Sequence, residues 1–329
     1  MTSSSHIVIR TATVDDYPQI IALVNETFGK RNDLQWLEGF HKHNPSGRSI
    51  LSVADHPSEG IVAYRSLVRF VLYYAGEAIL CGQGSDAATR PQFQGQGLYS
   101  RMTQACIDQF FNERGSLLYS FPGPQSYPIL VKRFGYTPVK RLRHVVFPLT
   151  RAAREKNRIA RSLVSIYGRL WSSRRAPSVN PIDGPLCYPE AADPRKARFS
   201  RTDCVQAWRF QAIGRSYRCV WLDGVDGFLV IGSAKRRRLN ICTIVDVVAD
   251  DTRSLRQLLR AVVPWASQNG YDLVYTWQGT SCLGYLAAGF MPIPRHTNFV
   301  VKVKDGFAYP ELLKRGDLWD ISLLDTDAY

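Results

Sequence analysis

Hydrophobic and polar residues recur along this chain with two spacings, and the switches between them mark its elements. His6–Arg10 alternates as a strand does. Thr13-Val14-Asp15-Asp16 supplies a helix-start signal, and Ile20, Leu23, Val24 and Phe28 then recur at helical spacing. Gly60–Leu72 and Glu77–Ala88 read as two strands of a hairpin turning at Tyr74-Ala75-Gly76. A helix is expected from Leu98 to Arg114, with Leu98, Met102, Ala105 and Phe110 on its buried face and Gly115 at its cap. Ser116–Phe121 reads as a short buried strand, Tyr127–Phe134 as a short helix, and Arg143–Pro148 as the strand that closes the first sheet.

Beyond this, Thr150–Trp171 divides cleanly at 100° per residue. Ile159, Leu163, Ile166, Tyr167 and Leu170 fall on one side, and Arg151, Arg154, Arg158, Arg161 and Arg169 on the other. Pro, Ser and Gly then dominate as far as Pro194, as in a linker. The second half repeats the order of the first: paired strands at Gly227–Ser233 and Ile241–Val248, a helix at Thr252–Asn269, a strand at Asp272–Trp277, a short helix at Leu283–Ala288 and a strand at Asn298–Lys302. A duplicated α/β fold follows. Two mixed-sheet domains, mostly antiparallel and flanked by helices, are expected at 1–149 and 198–305. A basic helical linker at 150–197 joins them, and 306–329 forms a tail.

Composition narrows the class. With 329 residues, 45% hydrophobic and 21% charged, each half can bury a core. No apolar run reaches membrane-spanning length, and the first ten residues lack a signal-type apolar core. Seven scattered cysteines never take CxxC spacing, and six histidines show no ligand spacing. These features point to a reducing cytoplasm and to no metal site. Net charge is +14, with eleven Lys/Arg against the single acid Glu155 between Lys140 and Arg175, and a further run at Lys235-Arg236-Arg237-Arg238. Such patches suit anionic partners, although a solvated face reads the same way.

The segment that carries chemistry is Gln92-Phe93-Gln94-Gly95-Gln96-Gly97, which follows a strand and opens a helix. Two glycines let an anion approach the main chain, and the unpaired amides from Gln94 to Leu98 point at it with the helix dipole behind them. The loop is neither GxxxxGK[ST] nor GxGxxG, so spacing alone selects no nucleotide family. Taken alone, it also fits a strand-to-helix turn with no ligand.

In its surroundings the loop becomes more specific. Gln92-x-x-Gly95-x-Gly97 resembles the Gln/Arg-x-x-Gly-x-Gly/Ala signature of the GNAT acetyltransferase superfamily. Asp86–Pro91 resembles the strand end before that loop, and Lys132-Arg133-Phe134-Gly135-Tyr136 the family's late Gly-aromatic element. The likeness spans residues 6–148 in order. It implies that acetyl-CoA is the co-substrate, with its pyrophosphate on the amides of Gln94, Gly95, Gln96, Gly97 and Leu98 and with Ala88, Gln92 and Tyr99 beside them. The pantetheine arm would lie between the strand before the loop and Leu117–Phe121, and an amine would attack the thioester directly. Proton handling departs from the pattern. The family's strand glutamate falls at Gly82, beside Gln83, and its frequent tyrosine falls at Val131. Asp86, Glu77 and Tyr127 are the substitutes within reach, each with an ordinary structural reading as well.

Other features stay open. Trp36 and Asn44-Pro45-Ser46-Gly47 could line an amine pocket or be core and turn. Trp208-Arg209, Tyr217-Arg218 and Trp319 could bind sugars or simply pack. The helix at 150–171 could meet an anionic membrane or connect domains. The expected function is acetyl transfer to a primary amine, with an amino sugar or envelope-polysaccharide precursor as acceptor class. A FemABX-like aminoacyl transferase and a CoA-sensing protein are the alternatives. Nucleic acid is disfavoured, because the basic residues lack interleaved aromatics.

Overall fold

The computed structural model describes residues 7–29, 31–149, 177–182, 185–188, 193–210, 216–236, 238–249, 251–278 and 282–326. The basic helix expected at 150–171 lies outside them. Along the chain run β1 (Val8–Thr11), α1 (Tyr17–Phe28), α2 (Leu34–Leu37), β2 (Ile50–His56), β3 (Gly60–Tyr74), β4 (Glu77–Thr89), α3 (Leu98–Asn112), β5 (Leu117–Ser120), α4 (Ser126–Lys132) and β6 (Thr137–Pro148). Then come β7 (Ser178–Pro181), β8 (Ala197–Phe199), α5 (Asp203–Phe210), β9 (Tyr217–Trp221), β10 (Phe228–Arg236), β11 (Leu239–Val248), α6 (Thr252–Gln268), β12 (Leu273–Trp277), α7 (Cys282–Ala287), β13 (Met291–Val303) and β14 (Trp319–Asp320).

The chain divides into two compact units. The first comprises Met1–Val139, Ala191–Gly214 and Phe299–Leu318, and the second comprises Lys140–Glu190, Arg215–Asn298 and Trp319–Tyr329. In the first, β1, β2, β3 and β4 pair antiparallel in sequence order, β5 joins β4 in parallel, and Val300–Val303 pair antiparallel with β5. The hairpin between β3 and β4 turns on Ala75 and Gly76, both at positive φ, as a two-residue turn of primed type requires. One face packs on α3, where Cys106, Ile107 and Phe110 meet Leu67 and Leu118. The other packs on α1 and α2, where Ile20, Leu23 and Leu37 meet Tyr64 and Ala88. Helix α3 buries Leu98, Met102, Cys106 and Phe110 as its period dictates, but Ala105 lies exposed, one position off the buried stripe.

In the second unit, β12 is parallel to β11 and antiparallel to residues 144–148 of β6. Its core gathers Val145, Phe147, Leu258, Val262 and Phe290. Arg143–Pro148 therefore does not close the first sheet as the sequence suggested. Val145 and Phe147 bury their side chains in the second core, while the buried Phe299, Val300 and Val301 fill the corresponding place in the first. The expected strand at Asn298–Lys302 is also longer, running from Met291. Local hydrophobicity marks such segments as strands but says nothing of which sheet they join.

Several polar and aromatic features resolve into packing. Trp208 is buried, stacks on Phe40 at 5.6 Å and donates from Nε1 to the Gly39 carbonyl at 2.9 Å. Tyr217 and Trp319 are likewise buried. Asn44–Gly47 is a turn, in which Gly47 N–H donates to the Asn44 carbonyl and Ser46 N–H to the Asn44 side chain. The thiols of Cys81, Cys106, Cys219 and Cys242 are free and buried, and burial pushes them up, Cys106 to about 11. Among the described residues, no helix is long and apolar enough to cross a membrane.

Candidate active site

After β4 the chain makes a 3-10 turn at Pro91–Phe93, crosses Gln94–Gly97 and enters α3. Gly95 and Gly97 stand at φ +79° and +74°, in the left-handed region, with open space above each α-carbon. Gly97 is also the N-cap of α3 and offers no side chain to the helix, so no capping hydrogen bond forms. Arg101 N–H reaches the Gly97 carbonyl at 3.1 Å as the first helical bond. The amides of Leu98, Tyr99 and Ser100 therefore have no acceptor within the helix, and the positive end of its dipole faces outward. Gln94 is an exception to the expected set, because its N–H closes the 3-10 turn on the Pro91 carbonyl at 3.2 Å. The Gln94 and Gln96 side chains fold back onto the Thr89 and Gln92 carbonyls, leaving Gly95–Gly97 bare on the surface.

This helix start lies at one end of a divergence between two strands. The parallel pairing of β4 with β5 covers only Cys81–Leu117, Gly82–Leu118 and Gln83–Tyr119, whereas β4 runs on to Thr89 alongside β3. From Gly84 onward the β4 edge that had faced β5 is unpaired by that strand. The residues suit a phosphate-ended thioester carrier: an uncapped helix start behind two left-handed glycines, and a strand edge leading away from it that β5 leaves uncovered. Tyr99 is half-buried, with the Arg65 guanidinium 5.4 Å from its ring centre, and Arg65 also donates to the Ser85 carbonyl. Ala88 points its methyl into the α1 and α2 core beside Tyr64, so only its main chain is available to a ligand.

Gly82 has no room for a side chain. A β-carbon there would meet Leu67 at 2.6 Å, Leu118 at 2.7 Å and Phe110 at 3.1 Å, all on the α3 side. A side chain at this position would require these packed side chains to shift. Gln83 points to the opposite face by strand alternation and is fully buried.

Of the three proposed proton-handling residues, the structure separates one from two. Glu77 is exposed at the far end of β4, six residues from Gln83 and hence about 20 Å away along the strand. It borders a shallow groove with Ser116, Lys304 and Phe307, and is too distant to serve the divergence. Tyr127 packs its ring on the apolar cluster of Leu118, Leu130 and Phe134. Asp86 is half-buried on the diverging part of β4, and its charge adds to burial in holding the Tyr64 phenol well above its ordinary value. The Tyr64 hydroxyl lies 3.1 Å from His41 Nε2, and burial depresses that imidazole to about 3, so it is neutral. Ser66 Oγ donates to the Asp86 carbonyl at 3.4 Å. This polar group of Tyr64, His41 and Ser66 was not singled out from the sequence. His41 sits in a wide π-type turn, Glu38–Lys42, with nothing in its neighbours to distinguish it from a surface histidine.

The model for the GNAT acetyltransferase domain matches residues 8–139. This segment is a GNAT domain. Solved structures with the same fold include a GCN5-related N-acetyltransferase from Kribbella flavida, with TM-score 0.62 and 13% identity over 92% of this chain and 73% of that one. A GCN5-related N-acetyltransferase from Anabaena variabilis aligns with TM-score 0.60 and 10% identity, over 91% and 73% of the two chains. The N-myristoyltransferase of Saccharomyces cerevisiae with bound myristoyl-CoA aligns with TM-score 0.60 and 12% identity, over 92% and 79%. At such identities the likeness is one of fold. Among curated proteins, none matches the chain in sequence. The match supports acyl transfer as the general chemistry of this segment and acyl-CoA as its donor class. Among the described residues, no group of His, Cys, Asp and Glu is placed to hold a metal ion.

Proposed function

We propose that this chain is an N-acyltransferase that moves an acetyl or other short acyl group from acyl-CoA to a primary amine within a ternary complex. The observation that carries the reading is the uncapped start of α3, glycine-lined and bare, beside the divergence of β4 and β5. In this reading the amides of Gly95, Gln96, Gly97 and Leu98 grip the diphosphate, and the β4 edge beyond Gln83 takes the pantetheine arm. Fixing donor and acceptor together supplies much of the rate enhancement. The amine nitrogen forms its bond to the thioester carbon as the carbon–sulfur bond breaks and sulfur leaves with the electron pair. Asp86 accepts the proton that the amine gives up, directly or through one water. Glu77 and Tyr127 take no part. Amino sugars and polysaccharide precursors are the first acceptors to try.

Calorimetry with acetyl-CoA, followed by thiol release against a panel of amines, tests the reading. Micromolar binding and amine-dependent thiol release are expected. Absence of any CoA binding would end it. Binding without release on any amine would favour a CoA-sensing protein, an alternative that draws on the lack of space for a carboxylate at Gly82.

A further inference from the structure

Gln83 is the last residue of β4 paired with β5, and its side chain has no hydrogen-bond partner among the described residues. It is 0% exposed, and neither Oε1 nor Nε2 meets a donor or acceptor. A carboxamide offers two donors and two lone pairs. Burying them unmet is worse for stability than placing a hydrocarbon of the same shape there, so such a group calls for an explanation other than folding. Its surroundings offer none. Register puts Val68 of β3 and Tyr119 of β5 on the same face, and the Tyr119 ring meets Phe199 at 4.4 Å and Phe70 at 5.8 Å. By register the amide stands beside Val68 and Tyr119, at the point where the two strands begin to part.

We propose that the Gln83 carboxamide is a substrate-binding group that takes the thioester end of the acyl-pantetheine arm as its hydrogen-bond partner. The inference rests on the acyl-CoA reading above. With the diphosphate at the start of α3, the arm runs back along β4 from Thr89 toward Gln83, six residues or about 20 Å. That span is of the order of the extended arm, so its reactive end arrives where the unpartnered amide lies. Nε2 donates to a carbonyl there, and Oε1 accepts from the nearest amide N–H. A neutral carboxamide cannot take up a proton at ordinary pH. Its part is to hold the donor, and proton transfer stays with Asp86.

The test uses the full chain with Gln83→Met, which keeps length and removes hydrogen bonding, and Gln83→Leu as a second variant. Ligand-free thermal melting is read beside calorimetric titration with CoA and with acetyl-CoA. We expect Gln83→Met to melt at or above the wild type and to bind acetyl-CoA roughly tenfold more weakly, the loss of one to two hydrogen bonds. A loss confined to acetyl-CoA assigns the partner as the thioester carbonyl, and an equal loss with CoA assigns it as a pantetheine amide. Unchanged affinity for both ligands overturns the proposal, as does melting of both variants several degrees below the wild type, which would mark a structural amide. If the wild type binds neither ligand, the acyl-CoA reading itself falls. If the wild type binds and Gln83→Met binds equally well, only the role of Gln83 falls.

Discussion

The two units repeat one motif, a strand leading through a turn into a helix and back to a short parallel strand, and they end that turn in opposite ways. In the first, β4 and β5 share three parallel pairs. In the second, β11 and β12 share three as well, from Ile241–Leu273 to Thr243–Tyr275. Both keep a buried neutral imidazole against a tyrosine, His41 with Tyr64 at 3.1 Å and His144 with Tyr275 at 2.8 Å. The helix starts differ. Gly97 caps α3 with left-handed backbone and no side chain, whereas Asp251 caps α6 in extended conformation, its carboxylate accepting from Ser254 N–H at 2.7 Å. One positive helix end is open to an anion from outside, and the other is already satisfied by an anion of its own. A shared topology therefore does not imply a shared ligand, and the acyl-CoA site proposed above belongs to the first unit alone.

The largest effect expected from breaking this contrast comes from closing the open end. The double variant Gly95→Val, Gly97→Val puts β-branched residues where φ is positive, at a backbone cost of about 1–2 kcal/mol each. The loop then rearranges and turns its amides away. Affinity for CoA should fall on the order of a thousandfold or beyond detection by calorimetry, while circular dichroism reports a folded chain. Retained affinity would place the anion elsewhere. Next comes Asp86→Asn, which leaves the loop intact. It should slow amine-dependent thiol release roughly a hundredfold, as loss of a general base does, with CoA affinity unchanged. An unaltered rate would remove Asp86 from the chemistry.

How much of this contrast can be read in the sequence depends on how local each cause is. The glycine loop, the hairpin at Ala75-Gly76 and the acids at the start of α6 are legible because backbone conformation and capping are decided within a few residues. Strand membership is not. Val145 and Phe147 look like a closing strand for the first sheet, and only long-range packing sends them to the second core. The same limit hides Tyr64 and His41, which lie 23 residues apart and meet through the packing of a π-type turn against β3. It bears on Glu77 as well. A carboxylate at a strand start is visible in the sequence, but that β4 parts from β5 only beyond Gln83, about 20 Å further along the strand, is evident only from the register between the two.

The paired imidazoles offer a way to sharpen the comparison through pH. Burial depresses His41 to about 3 and His144 to about 4, below the ordinary value near 6.5. As pH falls below about 6.5 the unfolded chain takes up protons that the folded units refuse. Stability is thus complete above that value and is lost progressively as pH falls toward the folded values. For His144 the whole window is worth about 3 kcal/mol at most. Urea midpoints measured between pH 7 and pH 4 should fall in the wild type, and His144→Asn should flatten that slope for the second unit. A slope unchanged by the substitution would assign the acid sensitivity to other groups.

The smallest effect comes from opening the closed end. Asp251→Ala removes the carboxylate that satisfies the first turn of α6, and thermal melting should drop by a few degrees. The same cap carries a pH signature. Its hydrogen bond from Ser254 N–H holds the Asp251 carboxyl below its ordinary value, so the stabilisation is present above that value and is lost as pH falls through the folded one. The variant should show a smaller acid-induced decrease than the wild type in that window. It should not acquire CoA binding, because baring a helix end supplies only part of an anion site. The left-handed glycines that clear the approach to α3 have no counterpart before α6, where Ala249 and Asp251 carry side chains. If Asp251→Ala bound CoA measurably, a single capping carboxylate would account for the whole difference between the two units, and the glycine loop would lose its special standing.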